Sequence, residues 1–344
     1  MPEDVGVVVC GVGPIGGLIT KVALKKRGLE VAGAIDIDPE KVGKDLGEVA
    51  GLGKAIGVKV SSDAEKVLSE VKPDVVLHAT RTYLDQVYPE LINCINAGAS
   101  VISTCETLAY PWYRYPDLSV LIDEMAKRRD VTIVGTGISP GYRFDSLLAF
   151  LSTVCAEVTR IKATLCLDAA KRRYSFQKKI GLGMTPGEFK EKIVRGEITA
   201  HVGYAESVLL LASMLGVRLD KVEEGQEPTI AKKHMKTQFF DIKRGHVAGI
   251  KGYGRGYIGS REFILVKLIA EVDVKGYEDV DIEGEPTVHW RNEPEIPGDI
   301  ATAAIVVNLI PRVLEAPSGL LTMKDLVLPS VTMVDFKPSR RKVC

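Results

Sequence analysis

The stretch Val5–Asp36, VGVVVCGVGPIGGLITKVALKKRGLEVAGAID, reads as strand, glycine turn, helix, strand and acid. Val5 to Cys10 is an apolar run that a sheet can bury. Gly11, Gly13 and Gly16 follow in GxGxxG spacing, and Pro14 and Ile15 lie between the last two. An amphipathic stretch runs from Ile15 to Lys26, and a second apolar run, Val31 to Ile37, carries Asp36 near its end. Each part has a physical task. Gly11 permits the tight turn out of the strand, Gly13 lets a pyrophosphate approach the backbone, and Gly16 lets the helix pack closely. The helix N-terminus presents unbonded N–H groups to a phosphate. Asp36 is placed to take the adenosine ribose hydroxyls. The stretch predicts a dinucleotide site. A glycine-rich turn of another α/β fold would explain neither the acid nor its strand.

Working outward, strands and helices keep alternating. Pro39 to Leu46 reads as a short helix, Gly57 to Ser61 as a strand and Ala64 to Val71 as a helix capped by Asp63. Asp74 to Thr80 is an apolar strand of the kind buried on both faces. Helix Tyr83–Asn96, strand Ser100–Thr104, helix Ser119–Arg129 and strand Val131–Val134 follow. This is the pattern of a doubly wound parallel (Rossmann) sheet. Past Asp145 the style changes. A linking helix, Asp145 to Cys155, leads to strand Val158–Leu167 and a basic, irregular segment, Asp168 to Gly183. Thr185-Pro186-Gly187-Glu188 starts a helix with a capping threonine. His201 to Leu215 is a strongly apolar helix, and Thr237 to Asp273 is β-rich but broken by the glycines of Gly249 to Gly259. These point to an α+β domain of mostly antiparallel sheet. Ile300 to Arg312 is apolar on most of its circumference, so it should be buried against the first domain or between domains. The expected organisation is residues 1–145 plus 298–330 as the NAD(P)-binding domain, 146–297 as the substrate and oligomerisation domain, and 337–344 as a basic tail.

Composition narrows the class. The 344 residues suit about two domains. With 45 basic and 45 acidic residues the net charge is zero, which argues against nucleic-acid or membrane-surface partners. No apolar run has the length of a membrane span, and no signal-like segment opens the chain. Six scattered cysteines without a CxxC pair suit reduced thiols and a cytoplasmic setting. Five histidines show no metal-ligand spacing, so no metal site is expected.

Ligands of open α/β sheets bind at the strand C-terminal ends. That draws attention to Thr80 and Arg81, to Glu106, and to the turn Gly135 to Gly141 with Ser139 and Pro140. Glu106 directly follows a buried strand, and Tyr110 and Trp112 beyond it can exclude water. A carboxylate there suits general acid/base work; the alternative is an acid in a first helical turn, complementing the helix dipole. The Gly135–Gly141 turn offers backbone N–H groups, or serves as a hinge. Arg172 and Arg173 could clamp a substrate carboxylate, or lie in a solvated loop. His201 reads as a substrate-site residue, or as a core or capping histidine.

With these segments located, the chain resembles the 2,4-diaminopentanoate dehydrogenases and native amine dehydrogenases, which share a dihydrodipicolinate-reductase-like architecture. The carrying segments are AIDIDPEKVGKDLG (34–47), VISTCETLAYPW (101–112), GTGISPGYRFD (135–145), AHVGYAES (200–207) and PGDIATAAIVVNLIPRVLEAPSGLLTMKDL (297–326). The resemblance implies NAD(P)-dependent oxidative deamination of a primary amine, reversible as reductive amination, with Glu106 as the essential acid/base. Its best-known reaction converts 2,4-diaminopentanoate to 2-amino-4-oxopentanoate. Where the family usually carries asparagine before Pro-Gly, this chain has Ser139. The alternatives are a broad-specificity dehydrogenase of simple aliphatic amines and, in another class, a non-catalytic NAD(P)H-sensing protein. Asp36 should repel a 2′-phosphate and favour NAD, while Lys41, Lys44 and Arg81 could accept NADP. A homodimer is expected.

Overall fold

The computed structural model describes residues 4–333 and 336. The chain divides into two compact units, Met1–Tyr142 with Pro297–Cys344, and Arg143–Ile296.

In the first unit, β1 (Val5–Cys10) leads through the glycine turn into α1 (Pro14–Ala23) and β2 (Leu29–Ile35). Then come α2 (Leu46–Val49), β3 (Val60–Ser61), α3 (Ala64–Val71) and β4 (Val75–His78). α4 (Leu84–Asn96), β5 (Ser100–Ser103), α5 (Pro116–Arg128) and β6 (Thr132–Gly135) complete the alternation. The strands are parallel, in the order β6-β5-β4-β1-β2-β3. Val7 to Val9, Val75 to Leu77, Val101 and Ile102 are wholly buried, as a sheet covered on both faces requires.

Two expectations fail here, each because backbone donors are taken elsewhere: the N–H groups of Gly43 and Leu46 bond to the Val60 and Val58 carbonyls rather than along a helix. Pro39 to Leu46 is no helix, and the strand expected from Gly57 shrinks to Val60–Ser61. The Asp45 carboxylate accepts from the N–H groups of Gly47, Ile56 and Gly57. It caps α2 from outside and holds the chain before β3 away from the ladder, a side chain competing with secondary structure for backbone donors.

The second unit begins with α6 (Ser146–Ser152), β7 (Glu157–Asp168), α7 (Tyr174–Lys179), α8 (Pro186–Val194) and α9 (Tyr204–Met214). It continues with β8 (Lys221–Ile230), the short β9 (Met235–Lys236) and β10 (Asp241–Ile242), then β11 (Val247–Ile258) and β12 (Arg261–Glu271). β13 (Tyr277–Glu285) and β14 (Val288–Asn292) close it. The six-stranded sheet runs β14-β13-β7-β12-β11-β8, antiparallel except for the β7–β12 pair. The segment Asp168 to Gly183 is not irregular throughout: α7 forms within it, its core side anchored by buried Phe176 and Gln177.

The glycines between Gly249 and Gly259 do not break the β-rich region. β11 runs through them. A Cβ on Gly252 would lie 2.0 Å from the Tyr204 hydroxyl, and one on Gly254 2.8 Å from the Tyr204 carbonyl. On Gly256 it would meet Leu219 and Val208. Glycine here lets α9 lie directly on the strand, a close approach rather than a turn.

The chain then returns to the first unit through α10 (Gly298–Asn308), α11 (Ile310–Glu315) and β15 (Gly319–Leu321). The apolar run expected as one helix is two. Pro311 lacks an N–H for a continuous ladder, and the break falls at Leu309. α10 packs on α1, α11 lies against β5 and β6, and β15 adds a seventh parallel strand beside β6. Helices α3, α4 and α5 cover the opposite face. The basic stretch 337–344 lies outside the described residues. Among the described residues, no helix is long and apolar enough to cross a membrane.

Candidate active site

The glycine turn divides its labour. Gly11 has φ +85°, and a Cβ there would stand 2.5 Å from the Ala79 carbonyl oxygen. A Cβ on Gly16 would stand 1.9 Å from the Gly11 carbonyl oxygen, so α1 closes against the turn itself. Around Gly13 no atom comes within 4 Å of such a Cβ. Two glycines are thus required by the protein, and the third faces open space where a phosphate can approach the backbone. Pro14 opens α1 and Gly17 N–H bonds back to the Gly13 carbonyl, so Ile15 and Gly16 supply the first-turn N–H groups.

Asp36 follows β2 directly. Its Oδ2 accepts from Val12 N–H at 2.8 Å and from Lys41 Nζ at 2.9 Å, and its Oδ1 from Asp38 N–H at 2.9 Å. Burial alone would raise its pKa; the bonds from Asp38, Lys41 and Val12 outweigh that and hold it below the ordinary carboxylate value. Asp36 therefore ties the glycine turn to the end of β2, and Lys41 sets a positive charge beside it.

Glu106 begins a 3₁₀ turn, Glu106–Ala109, three residues after the end of β5. Its neighbours are anchored on both sides. Cys105 donates its N–H to Ser103 Oγ at 3.1 Å and its thiol to the Thr82 carbonyl at 3.1 Å. Buried Thr107 takes the Leu84 N–H on its hydroxyl at 2.8 Å. The part-exposed glutamate is thus a side chain on a fixed backbone. Tyr110 and Trp112 follow, edge to face with ring centroids 5.9 Å apart.

At the end of β6, the Gly135–Gly141 turn contains a cis Ser139–Pro140 peptide. Thr302 Oγ1 accepts from Ile138 N–H at 3.2 Å. The Ser139 hydroxyl is buried and makes no hydrogen bond among the described residues. It is a polar atom suited to a ligand carboxamide.

Parallel register draws one more group together. Cys10 pairs with His78, His78 with Ser103, and Ser103 with Gly135, one row across four strand ends. Wholly buried His78 bridges Ser103 Oγ (2.8 Å, Nδ1) and Glu90 Oε2 of α4 (2.7 Å, Nε2), and Thr80 Oγ1 donates to the same Glu90 oxygen at 2.6 Å. Sequence reasoning missed Glu90 and His78. A histidine at the inner end of an apolar strand must find partners, and that was the available signal.

A cavity of about 290 Å³ opens here, lined by Gly11, Gly13, Asp36, Lys41, Thr80, Arg81 and Glu90 among others. A larger one, about 820 Å³, is lined by Lys72, Pro73, Asp74, Gly98 and Asp130, at the strand N-terminal ends. The smaller lies at the edge where open α/β sheets bind ligands, and Gly11, Gly13, Asp36, Thr80 and Arg81, expected from sequence to bind a dinucleotide, line it. Two clusters among the described residues, Cys10–His78–Glu90 and Asp279–Asp281–His289, hold potential metal-ligand atoms within 4.8 Å of one another. In each the histidine is already bonded to a carboxylate of its cluster.

The remaining candidates belong to the second unit. Arg172 lies over the Phe176 ring at 5.1 Å, and Arg173 bonds Ser175 Oγ at 2.9 Å. Buried Gln177 donates to the Ala170 and Arg172 carbonyls, fixing the backbone that carries both arginines. His201 does not head α9; it precedes the helix by three residues, its ring edge-on to Tyr204 at 4.6 Å. Its Nε2 is buried without a hydrogen-bond partner among the described residues. Burial, and then the charges of Lys179 and Arg143, push its pKa down to about 3, so the ring is neutral at working pH. Arg143, not foreseen, is buried and ion-paired with Glu278, its Nη2 donating to the Ile296 carbonyl at 2.9 Å.

Comparison with known proteins agrees with this geometry. Residues 142–342 match the 2,4-diaminopentanoate dehydrogenase C-terminal domain, and residues 5–105 the N-terminus of dihydrodipicolinate reductase. The chain is 30% identical over 356 residues to the 2,4-diaminopentanoate dehydrogenase of Acetoanaerobium sticklandii, covering 97% of each. It is 22% identical to the amine dehydrogenase of Streptomyces virginiae, covering 97% of this chain and 100% of that one. The solved amine dehydrogenase of Mycobacterium smegmatis superposes with a TM-score of 0.86 at 27% identity, over 97% of this chain and 98% of that one.

Proposed function

The chain belongs to the 2,4-diaminopentanoate dehydrogenase family, and on that premise we propose that it oxidatively deaminates a primary amine, with 2,4-diaminopentanoate the leading substrate. One observation carries the reading: a glutamate on an immobilised turn stands at the same sheet edge as the glycine turn and the buried Ser139 hydroxyl. The bound dinucleotide supplies the hydride acceptor. Gly13, Ile15 and Gly16 hold its pyrophosphate, Asp36 and Lys41 its adenosine ribose, Thr80 and Arg81 the rim of that pocket. Ser139 and Pro140 flank the nicotinamide, whose carboxamide is the partner read for the buried Ser139 hydroxyl.

Glu106 takes a proton from the substrate ammonium and passes it to solvent, leaving a neutral amine whose C–H bond releases hydride. Water adds to the resulting iminium while Glu106 accepts its proton, then returns one to the departing nitrogen. The balance is amine cation, oxidised dinucleotide and water to ketone, reduced dinucleotide, ammonium and a proton. Tyr110 and Trp112 shield the reacting carbon from bulk water. Arg172 and Arg173 take the substrate carboxylate, and His201, held neutral, is a polar contact for substrate rather than a proton donor.

A 2′-phosphate would meet both Asp36 and Lys41, so the reading is NAD preferred with NADP accepted. The second unit is read as the homodimer surface. Its helix-free sheet face carries paired charges such as Arg160–Glu262 and Arg291–Asp279, which suit a contact between copies; light scattering in solution tests this. The function is tested by absorbance at 340 nm with 2,4-diaminopentanoate, ornithine, meso-diaminopimelate and simple amines, each with both dinucleotides. Turnover of simple amines alone would favour a broad-specificity enzyme, and no turnover with tight cofactor binding would overturn the catalytic reading.

A further inference from the structure

We propose that Glu90 reads the base of the dinucleotide: its free carboxylate oxygen accepts the exocyclic amine of adenine. The proposal rests on the dinucleotide reading above but not on the amine chemistry.

The argument begins with register. His78 ends β4 between Cys10 and Ser103 on the neighbouring strands, so its ring is sealed inside the sheet layer. Cys105 N–H donates to Ser103 Oγ, and His78 Nδ1 lies 2.8 Å from the same oxygen. On its other side His78 Nε2 lies 2.7 Å from Glu90 Oε2, where an ionised carboxylate can only accept. Thr80 Oγ1 donates to the same oxygen at 2.6 Å. One carboxylate oxygen is thus doubly held, which fixes the whole group in orientation.

The other oxygen, Oε1, accepts no hydrogen bond from any described residue. Glu90 is 32% exposed through its side chain and lines the 290 Å³ cavity with Ile37, Ala64, Leu68, Arg81 and Asn93. Burial would raise its pKa, but the bonds from His78 and Thr80 outweigh it and keep the group anionic. An anionic carboxylate is an acceptor only. The cavity therefore offers apolar side chains to a flat base and one oriented acceptor to its edge. Adenine presents an N–H₂ donor at position 6; hypoxanthine presents a carbonyl oxygen there, which the carboxylate repels.

The test compares NADH with reduced nicotinamide hypoxanthine dinucleotide, by nicotinamide fluorescence on the full chain without any amine. The expected result is at least about tenfold weaker binding of the hypoxanthine form, since a site built to receive N–H rejects an analogue lacking it. In Glu90→Gln the amide can donate to the 6-oxo group, and the ratio should fall to within about threefold. Equal affinity of the wild-type protein for both dinucleotides overturns the proposal, and that arm needs no variant. So does an unchanged ratio in a Glu90→Gln protein that melts cooperatively. Loss of amine turnover with the base preference intact would instead count against the deamination reading alone.

Discussion

Gly135 of β6 lies so close to Leu108 that a Cβ on the glycine would stand 2.4 Å from the Leu108 carbonyl carbon. Leu108 is in the 3₁₀ turn that begins at Glu106. The end of one strand thus seats the turn that follows another, and the position of the acid depends on the absence of a side chain across from it. Gly135→Ala should cost about 1–3 kcal/mol of stability, the usual penalty of overpacking. It should also lower kcat more than it weakens dinucleotide binding. Thermal melts with steady-state kinetics check both, and an unchanged kcat would separate the turn from the chemistry.

Glu106→Gln keeps the shape of the side chain and removes its basicity. The deaminating kcat should drop by about 10²–10⁴-fold, the range of a lost general base, with NADH affinity and melting temperature near wild type. A Gln variant that still turns over at full rate would remove Glu106 from the mechanism.

Asp36 and Lys41 set the cofactor preference between them. Asp36→Ala should raise the NADP-to-NAD ratio of kcat/KM by about tenfold or more, since about 1.4 kcal/mol of lost repulsion suffices. Lys41→Ala should move the ratio the other way. Identical ratios in all three proteins would mean that the ribose is recognised elsewhere.

His201 predicts an acid-side stability loss. Its pKa is about 3 in the folded chain, against an ordinary 6.5. The folded state thus refuses a proton that the unfolded state takes. The stability present above pH 6.5 declines as pH falls through that window towards 3, by about 1.4 kcal/mol per pH unit. His201→Leu should flatten the fall of melting temperature between pH 7 and 5. The Nε2 atom makes no hydrogen bond among the described residues, so little bonding is lost with the ring. Parallel curves for variant and wild type would contradict this reading.

The sequence by itself determined the parts whose causes are local. The strand–glycine turn–helix–acid order, the Thr185 capping box and the alternation of the first unit follow from side-chain periodicity and turn chemistry within a few residues. Where distant groups intervened, local reading failed. The backbone of Gly43 and Leu46 bonds to Val60 and Val58 where a helix was predicted, and Asp45 captured the donors of Ile56 and Gly57 ahead of a shortened strand. The glycines of β11 were read as a break because the helix they admit lies some fifty residues earlier in sequence. Only tertiary structure could decide the candidate site's inner chain. Cys10, His78 and Ser103 come from three separate strands, and parallel register alone places them side by side. The orientation of Glu90 then follows from His78, because a buried ring must bond to whatever register puts beside it.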